Sequence, residues 1–243
     1  MTSKMQRAWH VMLSQMGLRR TTSTWPLIAE RPGVSTWMRQ HGVAARNPKT
    51  QERTSRHEVP QMIPAFDSDG FLPPGRFPAT ITEVQAQFVT TPRREKVWAD
   101  FLDVTSVLLS TGEPVCAAWI GGSFLSTKPD PGDVDVVYWI RQDVLASPPD
   151  DLRYILGDLT THRVRRDGFD VDTYILPWVP FLELDPSKWS REYIEYQRGR
   201  GYWDDFWMRR RAADPKAELN TYPRRGYLEV ILDGYERTGS SAA

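Results

Sequence analysis

Two aspartates head an apolar run in Asp133-Val134-Asp135-Val136-Val137-Tyr138, and nine residues separate Asp133 from the turn Gly121-Gly122-Ser123. Aspartate is a poor strand former, so its presence at alternate positions of an apolar strand needs a reason. Residues i and i+2 of a strand point to the same face, about 7 Å apart along it. Two carboxylates so placed repel unless a cation lies between them, and hard oxygen ligands in that arrangement suit Mg²⁺. Asp135 sits inside the apolar run, where an unpaired carboxylate is costly, so a cation or donor must face it. The Gly121-Gly122-Ser123 turn lets backbone approach a ligand and leaves N–H groups for a phosphate. A phosphate cradle beside paired carboxylates is equipment for phosphoryl transfer. A later segment, Phe169-Asp170-Val171-Asp172-Thr173-Tyr174-Ile175-Leu176, repeats the alternation and offers Asp170 and Asp172 as a third carboxylate.

These residues need elements to position them. Val115 to Ile120 is a near-continuous apolar run of the length of a buried strand, and it feeds the glycine turn. Upstream, Thr80-Ile81-Thr82-Glu83 is a capping box that starts a short helix through Val84 and Phe88. Thr91-Pro92 starts a second helix, whose apolar face includes Val97, Trp98, Phe101, Leu102, Val104, Leu108 and Leu109 before Gly112 and Pro114 stop it. Ser147-Pro148-Pro149 precedes a third, with Leu152, Ile155, Leu156 and Leu159 on one face. Asp167-Gly168 then turns the chain into the strand bearing Asp170 and Asp172. Helix, strand, loop, strand, helix, strand is the order of an α/β (α+β) domain with helices packed on a mixed sheet. Residues 63–78, rich in proline and glycine, read as an extended lead-in pinned by Phe66, Phe71, Leu72 and Phe77.

Beyond Pro177 the chain turns aromatic and basic, from Trp178 and Phe181 through Trp189, Tyr193, Tyr196, Tyr202, Trp203, Phe206 and Trp207 to Arg209-Arg210-Arg211. Residues 190–198 and 202–211 read as two short helices covering the core, and 226–232 as a strand-like run. Residues 1–61 differ again. A short, weakly amphipathic helix fits 8–18, and 31–61 is polar and basic with no sustained period, as in poorly ordered segments. Its charge is too dilute, and too free of interleaved aromatics, to make a strong nucleic-acid arm. Met62, where order begins, is an alternative start. The domain reading is a basic extension over 1–61, a core over 62–177 and a C-terminal helical and strand extension over 178–235 that packs on the core.

Composition narrows the setting. The 31 basic and 31 acidic residues cancel, which leaves no overall polyanion-binding signature. The single cysteine, Cys116, excludes an internal disulfide framework and fits a reducing compartment. No apolar run approaches the ~20 residues of a membrane span, and no basic-then-apolar leader opens the chain. A cytoplasmic protein without membrane contact is expected. His162 has no second ligand-type residue at metal spacing and reads as structural.

Gly122-Ser123, nine residues, Asp133-x-Asp135 on a strand and an acidic residue on a later strand resemble the DNA polymerase β-like nucleotidyltransferase superfamily. A closer similarity, over about residues 62–232, rests on Phe71-Leu72-Pro73-Pro74-Gly75, on the run from Trp119 to Val137 and on Tyr202-Trp203-x-x-Phe206-Trp207. It is to a group of bacterial and phage-borne proteins of that superfamily with no assigned substrate. The resemblance implies that Gly121, Gly122 and Ser123 hold nucleotide phosphates and that Asp133 and Asp135 ligate one or two Mg²⁺ ions. It also implies a third carboxylate that activates an acceptor hydroxyl. Asp172 is favoured because the apolar Tyr174-Ile175-Leu176 follows it directly, with Asp170 second. Lys128, in the intervening loop, is a candidate for a phosphate, against the ordinary reading of a solvated lysine; Arg224-Arg225 is another.

The expected activity is Mg²⁺-dependent transfer of a nucleoside monophosphate from an NTP to a hydroxyl of a protein, an RNA such as tRNA, or a small molecule. Toxin–antitoxin or defence pairs are the setting suggested by analogy with small members of the superfamily. The rival is a nucleotide-binding or toxin-neutralising module with weak chemistry; intact carboxylates and an intact Gly-Ser pair favour the enzyme.

Overall fold

The capping box at Thr80 is formed. In a computed structural model that describes residues 63–180, 183–210 and 222–235, the Glu83 N–H donates to the Thr80 hydroxyl at 3.1 Å and the Thr80 N–H donates to the Glu83 carboxylate at 2.7 Å. This reciprocal pairing starts α1 (Ile81–Phe88), which follows β1 (Gly75–Ala79). Thr91 caps α2 (Pro92–Leu109), with proline in its first turn. The expectations for residues 1–62 and for Phe181 and Arg211 fall outside the described residues.

β2 (Val115–Gly121), buried along its whole length, runs into a single 3₁₀ turn at Ser123–Leu125. With β3 (Val134–Arg141), β4 (Val171–Trp178) and β5 (Gly226–Ile231), it joins β1 in a five-stranded sheet ordered β1-β5-β2-β3-β4. β1 pairs with β5, and β3 with β4, in parallel; β2 is antiparallel to both β3 and β5. A parallel pair requires a long crossover, and α3 (Gln142–Ala146), α4 (Asp150–Thr160) and α5 (Arg163–Arg166) supply it between β3 and β4. The mixed sheet with helices packed on it is the architecture expected from the sequence.

Strand alternation sorts the two faces. Tyr138 shares a 2.7 Å hydrogen bond with Thr105 of α2, and Thr173 donates at 2.7 Å to the Leu159 carbonyl of α4. The other face carries Trp119, Trp139 and Tyr174 under α6 (Arg191–Met208). There Tyr174 packs on Trp203 with centroids 4.5 Å apart, Trp203 on Trp207 at 5.3 Å, and Trp139 on Tyr196 at 5.9 Å. Aromatic clusters concentrate towards this C-terminal helix and the strands beneath it.

Three elements differ from expectation. The end of the extended lead-in is a true strand, β1, because β5 supplies its hydrogen-bond partner. The two short helices are one, α6, which continues through Gly199-Arg200-Gly201. Each interior glycine costs about 1 kcal/mol relative to alanine, whereas burying a Phe-sized side chain contributes about 1.5–3 kcal/mol, and Trp203 and Trp207 are both buried. The strand-like run at 226–232 lies inside the sheet, between β1 and β2, so the C-terminal part of the chain completes the core sheet as well as covering it.

Two arginines at the start of α2 fix the loop between the glycine turn and β3. The Arg94 side chain is buried and donates to four carbonyls: Phe88 at 3.0 Å, Phe124 at 2.8 Å, Ser126 at 2.5 Å and Lys128 at 2.7 Å. Arg93 holds the far end of the loop through Pro131 O at 3.0 Å and Gly132 O at 2.6 Å. Hydrogen bonds to a charged group contribute about 1.5–3 kcal/mol each, and not additively. Arg94→Met is therefore expected to lower the unfolding free energy by ~3–5 kcal/mol in urea titrations. Arg94→Lys should recover only part of that, since an ammonium cannot reproduce the planar fork that spans these carbonyls.

Candidate functional site

Strand register brings the carboxylates together. Asp135 pairs across the sheet with Asp172 of β4 on one side and with Gly121 of β2 on the other, and neighbouring strands lie about 4.8 Å apart. Asp133 stands at the mouth of β3, one residue before it begins. Gly122 adopts φ +75°, and a Cβ there would fall 1.7 Å from Oδ2 of Asp135. The glycine is thus required twice, by its left-handed backbone and by the carboxylate pressed against it. Gly121 serves packing instead. A Cβ on it would meet the Trp207 indole at 2.7 Å, so its missing side chain lets α6 approach β2. Ser123 is partly buried and follows Gly122 directly, at the start of the 3₁₀ turn.

Basic side chains surround the carboxylates unevenly. Arg165 of α5 donates to Asp133 Oδ2 at 2.5 Å. His162, in the left-handed region at φ 54°, places Nδ1 2.8 Å from Asp172 Oδ1, and the Tyr174 hydroxyl donates to Asp172 Oδ2 at 3.0 Å. Burial works against ionised Asp172, but the His162 hydrogen bond and charge, the Tyr174 hydroxyl and Arg165 outweigh it and hold its pKa below the usual carboxylate range. Asp135 has the opposite balance. Burial, then the charges of Asp133 and Asp172, push it up to about 7, and the charges of Arg225 and Arg165 only partly offset this. Arg225 is set in place by its Nε, which donates to Trp207 O at 3.0 Å.

Asp170 lies elsewhere. Its carboxylate accepts from Arg93 at 2.8 Å and from Lys96 at 2.5 Å, both on α2, and its own N–H donates to Asp100 at 2.9 Å. Burial opposes its charge, yet Lys96 and Arg93 together lower its pKa. The alternation that gave Asp170 and Asp172 a common face ends at Val171, where β4 begins, and Asp170 turns to α2 and ties it to the sheet. Lys128 is exposed and is anchored through its carbonyl by Arg94; among the described residues no ion pair joins it to the three carboxylates.

Among the described residues, no three His, Cys, Asp or Glu side chains converge as the ligand set of one metal ion. Asp133 is engaged by Arg165 and Asp172 by His162. Register sets Asp135 beside Asp172, with Asp133 two residues before it, and burial together with the charges of both neighbours raises the Asp135 pKa. His162 and Arg165 are not among the site residues expected from sequence, and Arg225 is expected only as a candidate for phosphate. The signal for the two arginines is the Arg163-Val164-Arg165-Arg166 run and the Arg224-Arg225 pair, each on a connection leading into a strand at the site. Among the described residues no helix is long and apolar enough to cross a membrane.

Residues 64–231 match the model of a family described as "Family of unknown function (DUF6932)". The match spans most of the chain, and the protein belongs to that family. No curated protein and no solved structure matches the chain.

The site makes stability depend on pH. Asp135 has a folded-state pKa of about 7 against an ordinary 3.8. Between those values the folded state binds the extra proton, so stability falls as pH rises from about 4 to about 7. Asp172 is shifted downwards, so its contribution is lost only as pH falls below the ordinary carboxylate range. Asp135→Asn is therefore expected to flatten the decline across that window and to be the more stable protein at about pH 8, read by urea unfolding at about pH 5 and pH 8. Gly122→Ala should lose ~2–4 kcal/mol in the same measurement, from backbone strain and the clash with Asp135.

Proposed function

We propose that the protein is a nucleotidyltransferase of the DNA polymerase β-like kind, transferring a nucleoside monophosphate from an NTP to an acceptor hydroxyl. The observation that carries this reading is the Asp135–Asp172 register pair, with Asp133 two residues before Asp135 and the Gly122 backbone against it. In the reaction, the acceptor oxygen forms a bond to the α-phosphorus, the bond from that phosphorus to the pyrophosphate oxygen breaks, and pyrophosphate leaves. The hydroxyl proton passes to Asp172. That carboxylate is ionised at neutral pH, and His162 and Tyr174 orient it. Gly122 and Ser123 lie where backbone N–H groups and a hydroxyl can hold phosphate oxygens. Arg225 adds positive charge from the β5 side.

Mg²⁺, held by Asp133 and Asp135 with Asp172 beside them, would neutralise charge on the triphosphate and on the breaking bond. Such an ion competes with Arg165 for Asp133. That competition favours a second reading, a nucleotide-binding or toxin-neutralising module of the same architecture in which the Arg165–Asp133 pair stays closed. The acceptor is a protein, an RNA such as tRNA, or a small molecule, and the supporting features do not select among them.

Incubation with each α-labelled NTP, Mg²⁺ and cell extract is expected to label an acceptor. The Asp133→Ala/Asp135→Ala variant should reduce labelling by at least ~100-fold, the scale of losing a positioned electrostatic group. Metal-dependent NTP binding without labelling would select the binding module. Labelling that survives the double variant would overturn the site.

A further inference from the structure

The same sheet face carries a second cleft, away from the carboxylates. Asp135 and Trp139 share a face of β3 four residues apart, which is about 13 Å at the strand rise. Tyr174, the cross-strand partner of Val137, fills the interval with Trp203 packed on it. Beyond them lies a cleft of 170 Å³ between the sheet and α6, walled by Trp119, Trp139, Trp178, Tyr196 and Tyr235 and bordered by Arg76, Arg200 and Glu229. A cavity of about 150 Å³ accommodates a single benzene-sized ring.

One cation in this cleft lacks the ion-pair partner that its neighbour has. Glu229 is fully engaged: its Oε1 accepts from Trp119 Nε1 at 2.8 Å and from the Tyr235 hydroxyl at 2.5 Å, and its Oε2 lies 3.5 Å from Arg76. Arg76 in turn stacks over the Trp119 ring at 4.8 Å. Arg200 makes no ion pair among the described residues; its guanidinium donates to the Tyr196 hydroxyl at 3.2 Å. The Trp139 indole, 2% exposed, forms part of the wall. Two guanidiniums against one carboxylate leave the cleft net positive.

We infer that this cleft is a binding site for a small planar monoanion, an aromatic carboxylate in chemical class. Its ring lies among the indole and phenol walls and its carboxylate pairs with Arg200. Aromatic walls give a planar ring its contact area, and a guanidinium favours a carboxylate geometrically. The site is independent of the nucleotidyl-transfer reading, because it uses none of the three clustered aspartates.

Calorimetric titration of the full chain with benzoate at low salt tests it, with benzamide as the neutral isostere. Benzoate is expected to bind one site, and benzamide at least ~10-fold more weakly. Arg200→Gln should weaken benzoate ~10-fold or more. Asp135→Asn should leave it unchanged. Arg200 is only partly buried, so its variant keeps the fold and the test readable. Absence of benzoate binding at millimolar concentration, equal binding by Arg200→Gln, or loss of binding in Asp135→Asn would each overturn the proposal.

Discussion

The buried guanidinium of Arg94 is the constraint on which the site depends. The loop from the glycine turn to β3 has little regular structure to satisfy its own carbonyls, and a loop that leaves them unmatched next to a core does not hold one shape. Arg94 gathers carbonyls from the end of α1, the 3₁₀ turn and the loop itself around one planar cation. Arg93, the residue before it, takes the far end of the loop and reaches Asp170. One turn of α2 thereby fixes both ends of the span that separates the glycine turn from Asp133. Burial lowers the Arg94 pKa, yet a guanidinium stays charged through such a shift where an ammonium would be more easily neutralised.

The electrostatics of the carboxylate end follow from that fixed geometry. Register sets Asp135 beside Asp172, and Asp133 stands one residue before β3 at the same end of the sheet. Arg165 pairs with Asp133 and His162 hydrogen-bonds Asp172 from the crossover between β3 and β4, while burial and the charges of both neighbours push the central acid up to about 7. A fold with no use for the cluster would be relieved by one amide in place of Asp135. A carboxyl group whose pKa is raised by burial and like charges marks a candidate functional site. The left-handed backbone at His162 belongs to the same arrangement, since it turns the imidazole towards Asp172.

The parts legible from sequence are those written in short-range pattern. The capping box and the apolar run of β2 depend on neighbours within a few residues, and each appears where expected, whereas of Asp133 and Asp135 only Asp135 lies within β3, which begins at Val134. Asp170 and Asp172 show the limit of that logic: alternation gives a common face only while the strand lasts, and β4 starts between them. Arg93, Arg94, His162, Arg165 and Arg225 act across tertiary distances, with partners brought near only by the fold, and little in their immediate sequence distinguishes them from solvated bases. β1 was illegible for a similar reason, since a five-residue stretch with proline becomes a strand only when β5 lies beside it. The glycines of α6 would end an isolated helix. They do not end one held down by tryptophans.

The strand order has a consequence for how the chain is made. β5 lies between β1 and β2, yet it is the last of the five strands to leave the ribosome. Until residue 231 has emerged, β1 has no partner and one edge of β2 is bare, so the nascent protein carries two open hydrogen-bonding edges, one of them on its most apolar strand. Such edges are templates for pairing with other chains, and a sheet closed by contacts so distant in sequence forms slowly. Shielding that gap during synthesis falls to whatever meets the chain at the exit tunnel, so the slot between β1 and β2 is the point at which this architecture is most exposed to aggregation.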